Sequence, residues 1–186
     1  MARLVQCVPN FSEGKNKEVV EKIVDEIRKI DGIKLLDYSM DKDHNRSVVT
    51  FVGEPEKVVE AAFNSCKVAS ELIDMSKHKG GHPRMGATDV IPLIPISDVT
   101  VEECIEYSKS LAKRIGEELK IPVFLYEKSA TRQERENLAD IRRGQYEGMA
   151  EKLKDERWKP DYGPDKLNIK AGVTAVGVRP PLIAFN

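Results

Sequence analysis

What most limits the fold of this chain is the order in which its hydrophobic period changes over residues 4–96. Leu4–Val8 is a short apolar run, closed by Pro9-Asn10 and the Ser12-Glu13-Gly14 turn. Val20, Ile23, Ile27 and Ile30 then recur at three- and four-residue steps, the period of an amphipathic helix that ends near Gly32. Ile33–Tyr38 and Arg46–Val52 read as two strands joined by the polar turn Asp41–Asn45. Pro55 suits the first turn of a second helix, which carries Val59, Ala62, Cys66, Ala69 and Ile73 on one face. Val90–Ile96 is a fourth strand, which Pro92 and Pro95 assign to a sheet edge or a bulge. Strand–helix–strand–strand–helix–strand is the split βαβ, or ferredoxin-like, arrangement. The expected fold class is α+β: a two-layer sandwich with a ferredoxin-like core, extended by further strands into a mixed sheet with helices mainly on one face.

That topology has a directional consequence. With the first strand pointing up, the second also points up, while the third and fourth point down. The loop after the first strand, the turn between the second and third, and the loop before the fourth then meet at one sheet end. Asn10–Gly14, Asp41–Asn45 and His78–Asp89 are those segments. The third belongs to Met75–Asp89, a glycine-rich stretch holding two of the chain's three histidines. Gly80, Gly81 and Gly86 admit backbone angles closed to other residues, and Pro83 ends any helix. His82 therefore sits on a shaped loop, and an imidazole titrates near neutrality, so it can take and return a proton in one turnover. Arg84 offers a bidentate grip for a carboxylate. Asn10, Asn45 and Arg46 share that sheet end as candidate substrate-binding side chains. The bland alternative for His82 is that it satisfies loop carbonyls, and His44 reads as an ordinary turn residue.

A second half follows. Thr100 and Glu103 form a capping box before a helix marked by Val101, Cys104, Ser108, Leu111, Ile115 and Leu119. Val123–Tyr126 is a short strand, and Thr131 with Glu134 makes another capping box before a helix reaching Arg143. Gln145–Asp161 reads as a short helix plus loop and Gly163–Gly172 as a loop. Val173–Val178 and Leu182–Phe185 are expected closing strands. Trp158 and Tyr162 form either a stacking surface for a flat heterocycle or a small core under a loop.

Composition narrows the function. The 186 residues suffice for one core, and 33% charged with 40% hydrophobic is an ordinary soluble balance. A net charge of −1 gives no global pull toward nucleic acid or an anionic membrane, so neither is an expected partner. No apolar run approaches the roughly 18 residues of a membrane span. Cys7, Cys66 and Cys104 are widely spaced without a CxxC pair, which points to a reducing, cytoplasmic setting and to packing roles. Neither GxGxxG nor a Walker loop is present, so a nucleotide cofactor has no support. His78 and His82 are four apart, but Gly80, Gly81 and Pro83 break the helix that would aim both at a metal, and no metal is expected.

The blocks Cys7-Val8-Pro9-Asn10-Phe11-Ser12-Glu13-Gly14, Asn45-Arg46, Thr50-Phe51-Val52-Gly53, Leu72-Ile73-Asp74-Met75 and His82-Pro83-Arg84-Met85-Gly86-Ala87 carry a resemblance. Asp161, Gly163-Pro164 and Leu182-Ile183-Ala184-Phe185-Asn186 extend it over essentially the whole chain. Together they resemble the N-terminal subdomain of the formiminotransferase domain family. The resemblance implies an enzyme that transfers the formimino group of N-formimino-L-glutamate to tetrahydrofolate as co-substrate, a step in histidine breakdown, with His82 as acid/base. It implies a folate-binding stretch at Gly163, Pro164, Asp165, Lys166, Leu167, Asn168, Ile169, Lys170, Ala171 and Gly172. It also implies that residues 1–186 are one subdomain whose C-terminal companion is absent from this chain. The expected partner is then a second copy or a chain carrying that half. Two other readings stand beside it: a non-catalytic folate-binding or assembly module, and a folate one-carbon enzyme acting on 5-formyltetrahydrofolate.

Overall fold

The computed structural model describes residues 2–181. Its elements are β1 (Leu4–Cys7), β2 (Asn10–Phe11), α1 (Lys17–Arg28), β3 (Lys34–Asp41), β4 (Arg46–Gly53) and α2 (Pro55–Leu72). They continue with β5 (Thr88–Ser97), α3 (Val101–Leu119), β6 (Val123–Glu127), α4 (Leu138–Arg142), α5 (Gln145–Lys152) and β7 (Thr174–Val178). The closing strand expected at Leu182–Phe185 lies outside the described residues.

All seven strands form one mixed sheet. β1 and β2 are two pieces of one strand, interrupted at Val8-Pro9, and both pair antiparallel with β4 on one side and β5 on the other. β3 pairs with β4, which completes the ferredoxin-like core. β7 adds parallel to β5, and β6 parallel to β7. The sheet is thus an α+β sandwich of the expected kind.

Burial alternates along the strands and separates two cores. Ile91, Leu93, Val123, Leu125, Val176 and Val178 belong to the main core with the buried faces of α1, α2 and α3. Val90, Phe124, Tyr126 and Ala175 point the other way, into a smaller core with Ile141 of α4, Met149 of α5 and Leu153. Strands buried on both faces suit the parallel β5–β7–β6 part of the sheet. Trp158 packs edge-on to Phe124 in the smaller core, with ring centroids 6.1 Å apart, which favours the packing role over a stacking surface. β4 alternates partly exposed and buried residues, so beyond α4 and α5 one sheet face is open.

Two expectations are corrected. β5 is central, not at an edge, although it carries Pro92 and Pro95. In a strand, the N–H and C=O of one residue point to the same side. Val8 N donates to the Pro92 carbonyl (3.3 Å), so the missing Pro92 N–H faces the break between β1 and β2, where no regular bond is lost. Pro95 lies opposite Val5, where the β1–β5 register shifts. The second correction concerns Thr131 and Glu134, which make no capping box; the chain forms a 3-10 turn at Gln133–Arg135 and only then α4. The Thr131 hydroxyl donates instead to Asp161. The Thr100–Glu103 capping box forms as expected.

Asp161 explains that diversion. Its carboxylate faces the guanidinium of Arg135 at 3.1 Å, with side chains only 9% and 1% exposed, and it accepts from Leu125 N at 2.8 Å. Arg135 also donates to the carbonyls of Arg157 and Lys159 (3.0 and 2.6 Å). Removing one member of a buried pair strands the other. Asp161→Ala is expected to cost about 3–5 kcal/mol, against about 1 kcal/mol for Thr131→Ala, measured as shifts in denaturant midpoint. Equal and small shifts would contradict the assigned role.

Candidate active site

The three segments expected to meet at one sheet end do so, through Asn45. This residue takes φ = 51°, a left-handed geometry that asparagine tolerates. Its side-chain Oδ1 accepts from Gly14 N (2.9 Å) in the first loop, and its Nδ2 donates to the Lys79 carbonyl (3.0 Å) in the third. Its own carbonyl accepts from His78 Nε2 (3.1 Å). His78 Nδ1 in turn accepts from Arg84 Nε (3.0 Å), so His78 is a neutral imidazole of defined tautomer. Burial and the Arg84 charge both favour that neutral form.

The loops touch backbone to backbone. A Cβ on Gly80 would stand 2.4 Å from the His44 carbonyl oxygen, and one on Gly14 2.2 Å from that of Asp41. Gly80 and Gly86 of the His82 loop serve this close approach rather than unusual angles, whereas a Cβ on Gly81 would meet only ordinary contacts. Among the described residues the positive-φ glycines are Gly32, Gly144, Gly163 and Gly172, so the expectation for Gly80, Gly81 and Gly86 is corrected.

His82 is half-buried on this knot. Its Nδ1 donates to the Pro83 carbonyl at 2.7 Å, so Nε2 carries the lone pair, with no hydrogen-bond partner among the described residues. Loss of solvation holds its pKa below the ordinary histidine value, and the charges of Arg46 and Arg142 act in the same direction. The ring meets that of His44 edge-on, with centroids 5.9 Å apart, and His44 Nδ1 donates to Asp41 at 2.6 Å. His82 borders two cavities large enough for a ligand, besides a cleft of only about 10 Å³ shared with Asn45, Arg84 and Asp89. One, of about 320 Å³, is lined among others by Asn10, Arg46, Tyr126, Arg142 and Arg179. The other, of about 280 Å³, is lined by Ser39, Asp41, His44, Arg46 and Val48. Only His82 and Arg46 line both.

The expected site residues divide accordingly. His82, Asn10 and Arg46 face cavities, although Asn10 Nδ2 also donates to the Val8 carbonyl (3.1 Å). The Asn45 amide is spent on tying loops. Arg84 is buried, and its guanidinium is committed: to His78, to Gln145 Oε1 (3.1 Å), and as a fork to the two oxygens of Glu147 (2.8 and 2.7 Å). It braces the loop against α5 and has little left for a substrate carboxylate. Residues 163–172 line neither cavity beside His82. Gly172 rests on the Met85–Gly86 backbone, Lys170 reaches the Glu71 carbonyl (2.6 Å), and Asn168 ties to Lys120 O (3.1 Å). Asp165, Lys166 and Leu167 line a separate groove of about 500 Å³ with Ala150, Leu153, Lys154 and Lys159.

Sequence reasoning missed Arg142, Arg179 and Tyr126. Their arrival beside His82 depends on β6 and β7 adding in parallel to β5, which no local pattern announces. The three cysteines are buried and unpaired; burial pushes the Cys66 thiol up to about 12 and the Cys104 thiol up to about 11, so both are unreactive near neutrality. Among the described residues no helix is long and apolar enough to cross a membrane.

Comparison with known proteins adds an independent line. A family model described as the formiminotransferase domain, N-terminal subdomain, matches residues 4–179. The chain is 60% identical over all 186 residues to glutamate formimidoyltransferase of Streptococcus pyogenes serotype M1, spanning 62% of that protein. It is 51% identical over 185 residues (98% of this chain) to glutamate formimidoyltransferase of Thermoplasma acidophilum, spanning 61% of it. With formimidoyltransferase-cyclodeaminase of Dictyostelium discoideum it shares 51% identity over its whole length, spanning 35% of that protein. The chain thus covers less than two thirds of each.

The electrostatics give a direct check. Followed by NMR against pH, the His82 ring is expected to titrate below the ordinary value of about 6.5. Arg46→Gln removes one of the charges opposing protonation and is expected to move the midpoint upward. A midpoint at or above the ordinary value, or one indifferent to Arg46, would contradict the description.

Proposed function

The chain belongs to the formiminotransferase domain family as an N-terminal subdomain, and from that premise we propose that it supplies the acid/base histidine for formimino transfer from N-formimino-L-glutamate to tetrahydrofolate. The observation that carries the reading is the position of His82 at the wall between two cavities with its Nε2 unclaimed. A transfer between two substrates needs one proton-handling group within reach of both.

The chemistry has a simple proton balance. N5 of the folate attacks the carbon of the protonated amidine (amidinium), and the C=N π electrons move to its NH2 nitrogen, which becomes a neutral amine. The attacking nitrogen now carries a proton to lose, and neutral His82 Nε2 accepts it. The resulting imidazolium gives that proton to the glutamate nitrogen as its bond to carbon breaks, while the lone pair of the retained NH2 re-forms the C=N bond and leaves the formimino group, again as an amidinium, on N5. His82 ends as it began, and no covalent nucleophile takes part. A lowered pKa suits the first half, because the base form is the resting form near neutrality. The Nδ1–H bond to Pro83 helps hold the ring in one tautomer through both halves. Fixing two bound substrates against one another supplies much of the remaining acceleration.

The family resemblance assigns folate contacts to Gly163–Gly172, where Asp165, Lys166 and Leu167 border a groove separate from His82; the reacting N5 end of the folate is assigned to the cavity with Ser39 and Asp41 across the His82 ring. It also has residues 1–186 working with the rest of the domain, on a second chain or in a dimer, in the cytoplasm. The open sheet face beside His82 is a suitable surface for that companion.

The test is a transfer assay with formiminoglutamate and tetrahydrofolate, using the chain together with the remainder of the formiminotransferase domain. His82→Ala is expected to lower turnover by about 10²–10⁴-fold while folate binding changes little. Turnover like that of the wild type would end the acid/base assignment.

A further inference from the structure

We propose that the cavity lined by Arg46, Arg142 and Arg179 is a dicarboxylate subsite, in which Arg179 and Arg46 grip the two carboxylates and Arg142 completes the positive wall. The inference deepens the transfer reading and rests on it for the identity of the natural substrate. The charges that line the cavity favour an anion whatever that substrate is.

Three guanidinium groups and a single carboxylate, Glu127, line this cavity. Of the three, only Arg142 has an ion-pair partner among the described residues. Asp89, itself buried, accepts from Arg142 Nε at 3.0 Å and from its Nη2, and its other oxygen takes Met85 N at 2.7 Å. Asp89 is therefore a positioning residue, tying Arg142 to the loop that carries His82. Arg46 and Arg179 face the cavity with no carboxylate paired to either among the described residues. Arg179 Nε is moreover buried with no acceptor in reach among the described residues. A desolvated guanidinium donor without an acceptor is costly, and the cost is offset when an anion enters.

The geometry favours a small acid with two carboxylates. Arg179 follows β7, and its backbone is pinned by a 3.0 Å bond from its own N–H to the Leu93 carbonyl. Arg46 opens β4 beneath the first strand. The two cations thus come from different sheet strands, on rigid elements, and each can form a forked pair with a separate carboxylate. A volume of about 320 Å³ holds an amino-acid-sized ligand but is at the small end for a larger one. Tyr126 is buried, and burial pushes its phenol pKa upward, so it offers a hydrogen bond without adding a negative charge. With both carboxylates on arginine, the substituted nitrogen of an N-acyl-type glutamate is directed toward the His82 wall. The cavity with Ser39 and Asp41, across the ring, is then left for the acceptor.

The probe is glutarate, titrated into the full 186-residue chain while the His82 ring signals are followed by NMR, with butyrate as the single-carboxylate control. Glutarate is expected to shift the His82 signals and to bind more tightly than butyrate. Arg179→Gln is expected to weaken glutarate by about 10-fold or more, and Arg179→Lys by less. The thermal midpoint of each variant identifies it as folded; should Arg179→Gln fail that control, Arg179→Lys and Arg46→Gln carry the comparison. Glutarate that binds no better than butyrate, or that binds folded arginine variants unchanged, overturns the subsite. The transfer assay separates the two proposals. Working transfer with an unchanged KM for formiminoglutamate in Arg179→Gln overturns the subsite alone. Arginine-dependent glutarate binding without any transfer overturns the transfer reading alone.

Discussion

The organisation of this molecule depends on the side-chain amide of Asn45. Its oxygen and nitrogen have opposite hydrogen-bonding polarity, and each is used on a different loop: the oxygen on Gly14 N, the nitrogen on Lys79 O. Three chain segments separated by about thirty residues each are thereby joined at one point. Loop closure on that scale is entropically expensive, and a short polar side chain at a left-handed turn satisfies it without adding bulk. Behind it runs a second line of support, from Glu147 through Arg84 and His78 to the Asn45 carbonyl. That line anchors the knot to α5, on the face of the sheet that carries the smaller core.

The consequence is a histidine whose environment is set by rigid parts. His82 sits among arginines yet stays neutral, because desolvation and nearby positive charge both oppose protonation. The same charges that keep it basic and unprotonated are the ones that attract an anionic substrate. Once an anion neutralises them, protonation of His82 becomes easier, which is the change required when the histidine must next act as an acid. Asp89 couples these roles, holding Arg142 with one oxygen and the backbone of the His82 loop with the other.

Much of the fold was legible in the sequence because its periods are local. The stripe Val20, Ile23, Ile27 and Ile30 and the alternation in β4 are each read within a dozen residues, and handing those strands their directions brings the three loops together. Three features escaped that kind of reading. Pro92 signals an edge only if its neighbour needs a donor there, and the break at Val8-Pro9 removes the need. Arg84 lies two residues from His82 in sequence, but proximity does not say which way a guanidinium turns, and it turns to Glu147. Arg142 and Arg179 reach the cavity through strand pairings made across 85 residues (Val90 with Ala175) and 51 residues (Val123 with Thr174). A glycine in a sequence does not say whether it serves a left-handed angle or a close approach, and Gly80 and Gly86 are needed for close backbone approach.

The most direct measurement is the long-range proton–nitrogen correlation spectrum of the His82 imidazole, recorded for the native chain and for Asn45→Gly. Glycine accepts the positive φ of residue 45 without strain, so only the amide ties are lost. In the native chain the spectrum should show one neutral tautomer, protonated at Nδ1, with Nε2 bare. In the glycine variant the loops are released and the two tautomers should mix. A native ring protonated at Nε2, or a variant whose ring is as uniform as the native one, would show that the asparagine knot does not govern His82.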